Sequence, residues 1–220
     1  MKYPYFLYQH GIRHAPVFNS LSGPPFVFDM SHKNPVLSEM DVRDQAAFQQ
    51  ILEKEMGEKY SWGLAAYLER RDSLLGSCPQ MVKEKRFYHL GLDVIVPLGT
   101  ALHAPLDALV QESGYESGEG NYGGFVLLRH ESREFETFYS FYGHLCRTSL
   151  PKVRSSLRAG EAFAETGDFH ENGNWFYHTH IQVITQRGLE EGYISKGYCA
   201  ASDLKEMDAL CPSPLLLFRI

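Results

Sequence analysis

The alternation of apolar and polar positions changes character near residue 86. Before that point, residues 1 to about 37 mix Pro, Gly and aromatics with short polar breaks, as in "SLSGPPFVFDMSHKNP", which predicts irregular structure with one short strand at Phe26 to Phe28. Val42, Ala46, Phe48, Ile51, Leu52 and Met56 then recur at helical spacing and predict an amphipathic helix over about 39–56. Ser38 followed by Asp41 resembles a capping box at its start, and Gly57 supplies its stop. A weaker helical or irregular stretch, "SWGLAAYLERRDSLL", leads onward. Residues 1–85 therefore read as a part-helical extension laid on a main body.

From residue 86 the period shortens to that of strands, with turn residues as punctuation: "HLGLDVIVPLGT", "HAPLDALVQESGY", "GGFVLLRHE", "EFETFYSFYGHL", "EAFAETGDF" and "FYHTHIQVIT". "EGNYGG" and "HENGNW" carry the Gly and Asn-Gly chemistry of tight connections, so the pairing is expected to be antiparallel. In "EFETFYSFYGHL", Phe135, Tyr139 and Phe141 fall on one face and Glu134, Glu136, Ser140 and His144 on the other, which predicts one packing side and one working side. The fold class is mainly β: an antiparallel sheet or sandwich with a groove, spanning 86–190, with 191–220 packed on the core as a terminal segment. With 220 residues and 13% aromatics the chain supports one such core.

Charge and composition narrow the chemistry. A net charge of −6 offers no cationic surface for phosphate backbones, so nucleic acid is not an expected partner. No window reaches the roughly 18 apolar residues of a membrane span, and Gln9, His10, Arg13 and His14 break up any apolar leader. The expected setting is cytoplasmic, with Cys78, Cys146, Cys199 and Cys211 as reduced thiols. Cys146 lies in loop-like "CRTS" and is not read as a nucleophile, and Gly123 and Gly124 are read as turn residues rather than a phosphate cradle.

Two short stretches bear the candidate chemistry. His89 and Asp93 in "HLGLD" are four apart, which sets them on one face, and Gly91 between them leaves that face open. In "FYHTHIQVIT", strand alternation puts His178, His180 and Gln182 together, with the two histidines about 6.6 Å apart along the strand. Imidazole nitrogen and carboxylate oxygen suit Zn²⁺, and three protein ligands plus an open position is the catalytic rather than the structural pattern. Spacing alone leaves open which of His178 and His180 is the ligand; the spare one would serve as base or anion stabiliser. His103, His130 and His170, and the N-terminal His10, His14 and His32, are read as surface residues.

His89 and Asp93 in "HLGLD", then "PLGTALHAPLDALV", "YGGFVLLRH", "YGHL" and "HTHIQV" resemble, in order and spacing, the lysostaphin-type (LytM-like) zinc metallopeptidases over roughly 86–185. The resemblance implies a compact antiparallel β fold with a groove, and a zinc ion held by His89, Asp93 and His180. It implies His144 and His178 as the catalytic pair that polarises water and steadies the oxyanion. A peptide or peptidoglycan-like substrate follows, as does endopeptidase-like hydrolysis. Where the family's H-x-H carries Leu, this chain has Thr179, and Tyr177 stands where Pro or Gly is usual; Thr179 is expected to point away from the metal. "RFYHLGLDVIVPLGT" and "THIQVI" look closest to leaderless domains found beside pyridoxal-phosphate aminotransferases and kinase-like modules. A module that keeps the metal but uses the groove for recognition is the alternative reading.

Overall fold

The computed structural model describes every residue except His10, Arg13, Ser77, Arg219 and Ile220, and of Ser38 the backbone alone. The surface position of His10 and the capping role of Ser38 lie outside the described residues. The strands are β1 (Phe26–Val27), β2 (Gly63–Ala65), β3 (Arg86–His89), β4 (Leu92–Ile95), β5 (Ala101–His103), β6 (Ala108–Glu116), β7 (Gly123–His130), β8 (Phe138–Leu145), β9 (Ser156–Leu157), β10 (Ala162–Glu165), β11 (His178–Thr185) and β12 (Tyr198–Ala200). Eight form one sheet in the order β1-β2-β4-β11-β8-β7-β6-β9, antiparallel except for β1 with β2. Two small antiparallel pairs, β10 with β5 and β12 with β3, complete a mainly β molecule.

The single helix expected over 39–56 is two helices, α1 (Pro35–Glu39) and α2 (Gln45–Met56). The reason is local. Asp41 turns back to accept from its neighbour Arg43, and Asp44 caps the longer helix by accepting from Ala47 N at 3.0 Å. Gly57 ends it at φ +54°. "SWGLAAYLERRDSLL" contributes β2 and the short helix α3 (Asp72–Leu75) rather than a longer helical segment.

Phe48 and Leu52 of α2 are fully buried beside Phe28, Met30 and Phe176, in a cluster that covers one end of β11. Burying each such side chain contributes roughly 1.5–3 kcal/mol. The same helix makes polar contacts with the chain just ahead of β11. Gln45 Oε1 accepts from Phe176 N at 2.8 Å, and Gln49 Oε1 from Tyr177 N at 2.8 Å.

The packing-side, working-side reading of 134–145 is corrected on two counts. Every residue of β8 is buried, because the strand lies inside the sheet with layers on both faces. Ser140, expected at the open face, is enclosed with His130, whose Nδ1 donates to Asp107 O at 3.1 Å and whose Nε2 lies 2.7 Å from Ser140 Oγ. His130 is thus a core residue, not a surface one, and burial pulls its pKa down to about 4. His14 is also half-buried, with Nε2 2.8 Å from Leu217 O, and His103 is half-buried, while His32 and His170 are exposed.

The second count concerns phase. Gly124 pairs with Leu145 but Val126 pairs with Tyr142, so β8 holds one residue more than β7 over that stretch. His144 takes φ +66° inside this bulge, its N–H donating to Tyr122 O and its carbonyl accepting from Gly167 N. The extra residue swings His144 onto the face of Tyr139 and Phe141, the face opposite to that expected from strict alternation. Leu145 returns to the other core with Tyr142. No helix among the described residues is long and apolar enough to cross a membrane, and all four cysteines are free.

Candidate metal centre and active site

Asp93 on β4 and His180 on β11 are direct cross-strand partners. His89 closes the group from the end of β3, after the chain bends through Leu90 and Gly91 between two strands rather than running on as one. The bend leaves no room for a side chain. A Cβ on Gly91 would lie 2.3 Å from Cε1 of His180, so the glycine read as opening this face is the one that admits the imidazole.

His89 Nε2, His180 Nδ1 and Asp93 Oδ1 converge, with separations of 2.9, 3.2 and 3.2 Å. Their outer atoms define their proton states. His89 Nδ1 faces Ala66 O at 3.1 Å, and a carbonyl can only accept, so this nitrogen carries the proton. Gln182 donates its amide nitrogen to Tyr193 O, which turns its Oε1 toward His180 Nε2 at 3.1 Å and puts the proton there. The two inner nitrogens are therefore both lone pairs, 2.9 Å apart with no proton between them and a carboxylate oxygen beside both. Three acceptors in that arrangement call for a cation. Their spacing approximates the roughly 3.3 Å edge of a tetrahedral shell with zinc bonds near 2.0–2.1 Å.

His178 and His144 flank this group, their rings 4.4 Å apart. His178 Nδ1 donates to Phe176 O at 2.9 Å and His144 Nδ1 to Asn172 O at 2.7 Å, so each turns a bare Nε2 inward. His178 Nε2 lies 3.8 Å from Asp93 Oδ1. Phe176, held by Gln45, stacks on His178 at 4.2 Å and fixes the ring. Thr179 points the other way, to Thr166 at 3.1 Å, as expected for the alternate face.

The electrostatics favour neutral imidazoles around an ionised carboxylate. Burial, reinforced by the Arg71 charge, pulls His89 down to about 3. Burial and His178 hold His144 well below its usual range, and burial likewise lowers His178. Burial opposes ionisation of Asp93, but His89 and Arg71 outweigh it and hold the carboxyl well below the ordinary value.

Because the unfolded chain binds protons on these histidines below about pH 6.5 while the folded one does not, metal-free protein loses stability as pH falls through that value. For His89 alone the expected loss at pH 5 is about 2 kcal/mol. Thermal unfolding of chelator-treated protein at pH 7.5 and 5.0 measures it, and an unchanged midpoint would contradict the assignment of neutral, buried rings.

Residues 87–190 match the model of Peptidase family M23. That span holds all five residues of the constellation. Over this span the chain is similar to Peptidase family M23. The lysostaphin-type resemblance carried by H-x-x-x-D, G-H-L and H-x-H is borne out. An uncharacterized metalloprotease of Haemophilus influenzae is 35% identical over 97 residues, covering 39% of this chain and 19% of that protein. The chain thus spans about a fifth of the length of that relative. Among solved structures, a zinc-containing peptidase from Vibrio cholerae is 22% identical over 44% of this chain and 27% of that one, with a TM-score of 0.37. The catalytic domain of lysostaphin from Staphylococcus simulans is 19% identical over 54% of this chain and 79% of its own, with a TM-score of 0.40.

The M23 motifs did not point to three other groups at the site. Arg71, 1% exposed, donates Nη1 to the outer oxygen of Asp93 at 2.6 Å and Nε to Glu69 at 2.8 Å. Gln45 and Gln49 brace the entry to β11. All three lie before residue 87, on polar positions whose pattern marks them only as surface.

Proposed function

We propose that the protein is a zinc-dependent hydrolase of peptide bonds, endopeptidase-like, acting on a peptide or peptidoglycan-like substrate. The observation that supports this most is the trio of inward lone pairs on His89, His180 and Asp93, with two further unprotonated Nε2 atoms beside it. The first three would hold the ion. When bound, zinc supplies Lewis acidity toward the carbonyl and makes water acidic enough to ionise at about pH 7.

The chain's own groups divide the remaining work. His178 Nε2, kept bare by the Nδ1 bond to Phe176 O, accepts the proton of the attacking water. His144 Nε2, kept bare by Asn172 O and brought to the site by the bulge, can take up the second proton that the attacking water releases and deliver it to the departing amine. Both imidazoles are neutral near pH 7, which suits proton transfer at that pH.

Incubation of zinc-loaded protein with glycine-rich peptides and muropeptides tests this. The His178→Ala variant should keep its zinc and lose about 10²–10⁴ in rate. Metal-replete protein that cleaves none of these substrates would make the groove a recognition site instead.

A further inference from the structure

The chemistry just proposed leaves one part of Arg71 unused. Holding Asp93 and Glu69 occupies Nη1 and Nε, whereas Nη2 is buried without a hydrogen-bond partner among the described residues. Arg71 lines the cavity over the metal ligands, ≈ 130 Å³ in volume, together with Trp175 and Tyr122. Trp175 Nε1 and the Tyr122 hydroxyl are also buried without a partner. Native proteins leave few buried polar groups unpaired, so these three, with Arg86 Nη1 likewise buried without a hydrogen-bond partner on the same lining, point to something that completes them.

The chemistry of the three identifies that something. A guanidinium and an indole N–H can only donate, and a phenol can donate. An amide or amine would bring N–H groups of its own; a carboxylate brings acceptors alone, and a guanidinium edge suits it geometrically. The charges agree. Arg71 is shared between Glu69 and Asp93, and a divalent ion beside Asp93 leaves the group with a single formal positive charge. On the same lining Arg86 pairs with Glu84 at 2.6 Å through Nε and adds a second guanidinium with a buried, unpartnered Nη1, while half-buried Glu116 offsets one positive charge.

Resting on the peptidase reading above, we propose that this cavity reads a carboxylate of the substrate through Arg71, Trp175 and Tyr122. The peptide cleaved is therefore anionic close to the scissile amide. A free C-terminal carboxylate and an acidic side chain share this chemistry.

Binding is tested apart from turnover. The chain has two tryptophans, and Trp62 Nε1 already donates to Gly23 O at 3.2 Å, so its indole N–H signal is an internal reference. N-acetylglycine, but not N-acetylglycinamide, should shift the Trp175 indole signal of ¹⁵N-labelled, zinc-loaded protein. The shift should disappear in Arg71→Gln, whose unmoved Trp62 signal reports an intact fold. If that variant does not fold, Tyr122→Phe replaces it and should weaken the response. An equal response to the amide overturns the proposal. So does a shift that needs zinc and survives loss of Arg71, because the carboxylate is then on the ion alone.

In the cleavage arm, peptide pairs differ only as C-terminal acid against amide, or as Asp against Asn. The acid should be preferred about tenfold or more in one pair, and that pair identifies the source. Trp175→Phe should reduce the ratio. Cleavage of acid and amide alike overturns the carboxylate site while leaving the peptidase reading intact. A carboxylate-specific indole shift without any cleavage does the reverse.

Discussion

Replacing His180 with alanine is expected to strip the protein of zinc and of peptide cleavage together. Metal analysis of the purified wild type should give about one zinc per chain, and the variant should retain less than about a tenth of that. The loss follows from geometry. His180 Nδ1 is the atom facing both His89 Nε2 at 2.9 Å and Asp93 Oδ1 at 3.2 Å, and without it two ligands remain from two different sheets. Cleavage should fall by more than about 10³-fold, because the step that ionises water at neutral pH is gone. Full zinc occupancy in the variant, or a metal-free native protein prepared from zinc-containing medium, would refute the ligand assignment.

Gly91→Ala is expected to come close to the same result without touching a ligand. Its Cβ would lie 2.3, 2.6 and 2.8 Å from Cε1, Nε2 and Nδ1 of His180. The imidazole has nowhere to retreat, since Gln182 holds its far nitrogen and the rings of Tyr122 and Phe141 stand 5.5 and 6.2 Å away. Zinc affinity should drop by about 100-fold or more, beyond the effect of losing an outer hydrogen-bond partner, and overpacking should cost about 1–3 kcal/mol of stability. Competition with a fluorescent chelator measures the first, thermal unfolding the second. A double variant with His180→Ala checks the cause. Removing the imidazole makes room for the methyl group, so the stability losses should be clearly less than additive. Additive losses would locate the strain elsewhere.

The parts of this site that were legible in the sequence are those governed by short-range periodicity. Alternation along "HTHIQV" correctly grouped His178, His180 and Gln182 and sent Thr179 to the far side, because β11 runs regularly from His178 to Thr185. His89 and Asp93 met as expected, although through a bend rather than along one strand. Alternation failed for His144, since a single left-handed residue re-phases β8 and nothing in "FYGHLC" marks where a bulge falls. His130 was misread because its burial depends on Ser140 and Asp107, which reach it from other parts of the sheet. The break between α1 and α2 turned on which of two aspartates caps a helix and which folds back on its own backbone. Arg71 gave no local signal at all; its meaning comes from Asp93, 22 residues later, and from a cavity that exists only once the N-terminal residues have joined the sheet.

Strand β2 has a consequence for any attempt to work with the matched segment alone. It pairs Gly63, Leu64 and Ala65 with Ile95, Val94 and Asp93, so β4 lies inside the sheet. Cutting the chain at residue 86 would turn β4 into an open rim of unsatisfied amides and carbonyls, beside an apolar surface that Phe48 and Leu52 no longer shield. Such a rim recruits strands from other molecules. The residues that look like an appendage to the catalytic unit are thus its guard against self-association, and the shortest fragment worth expressing begins ahead of β1.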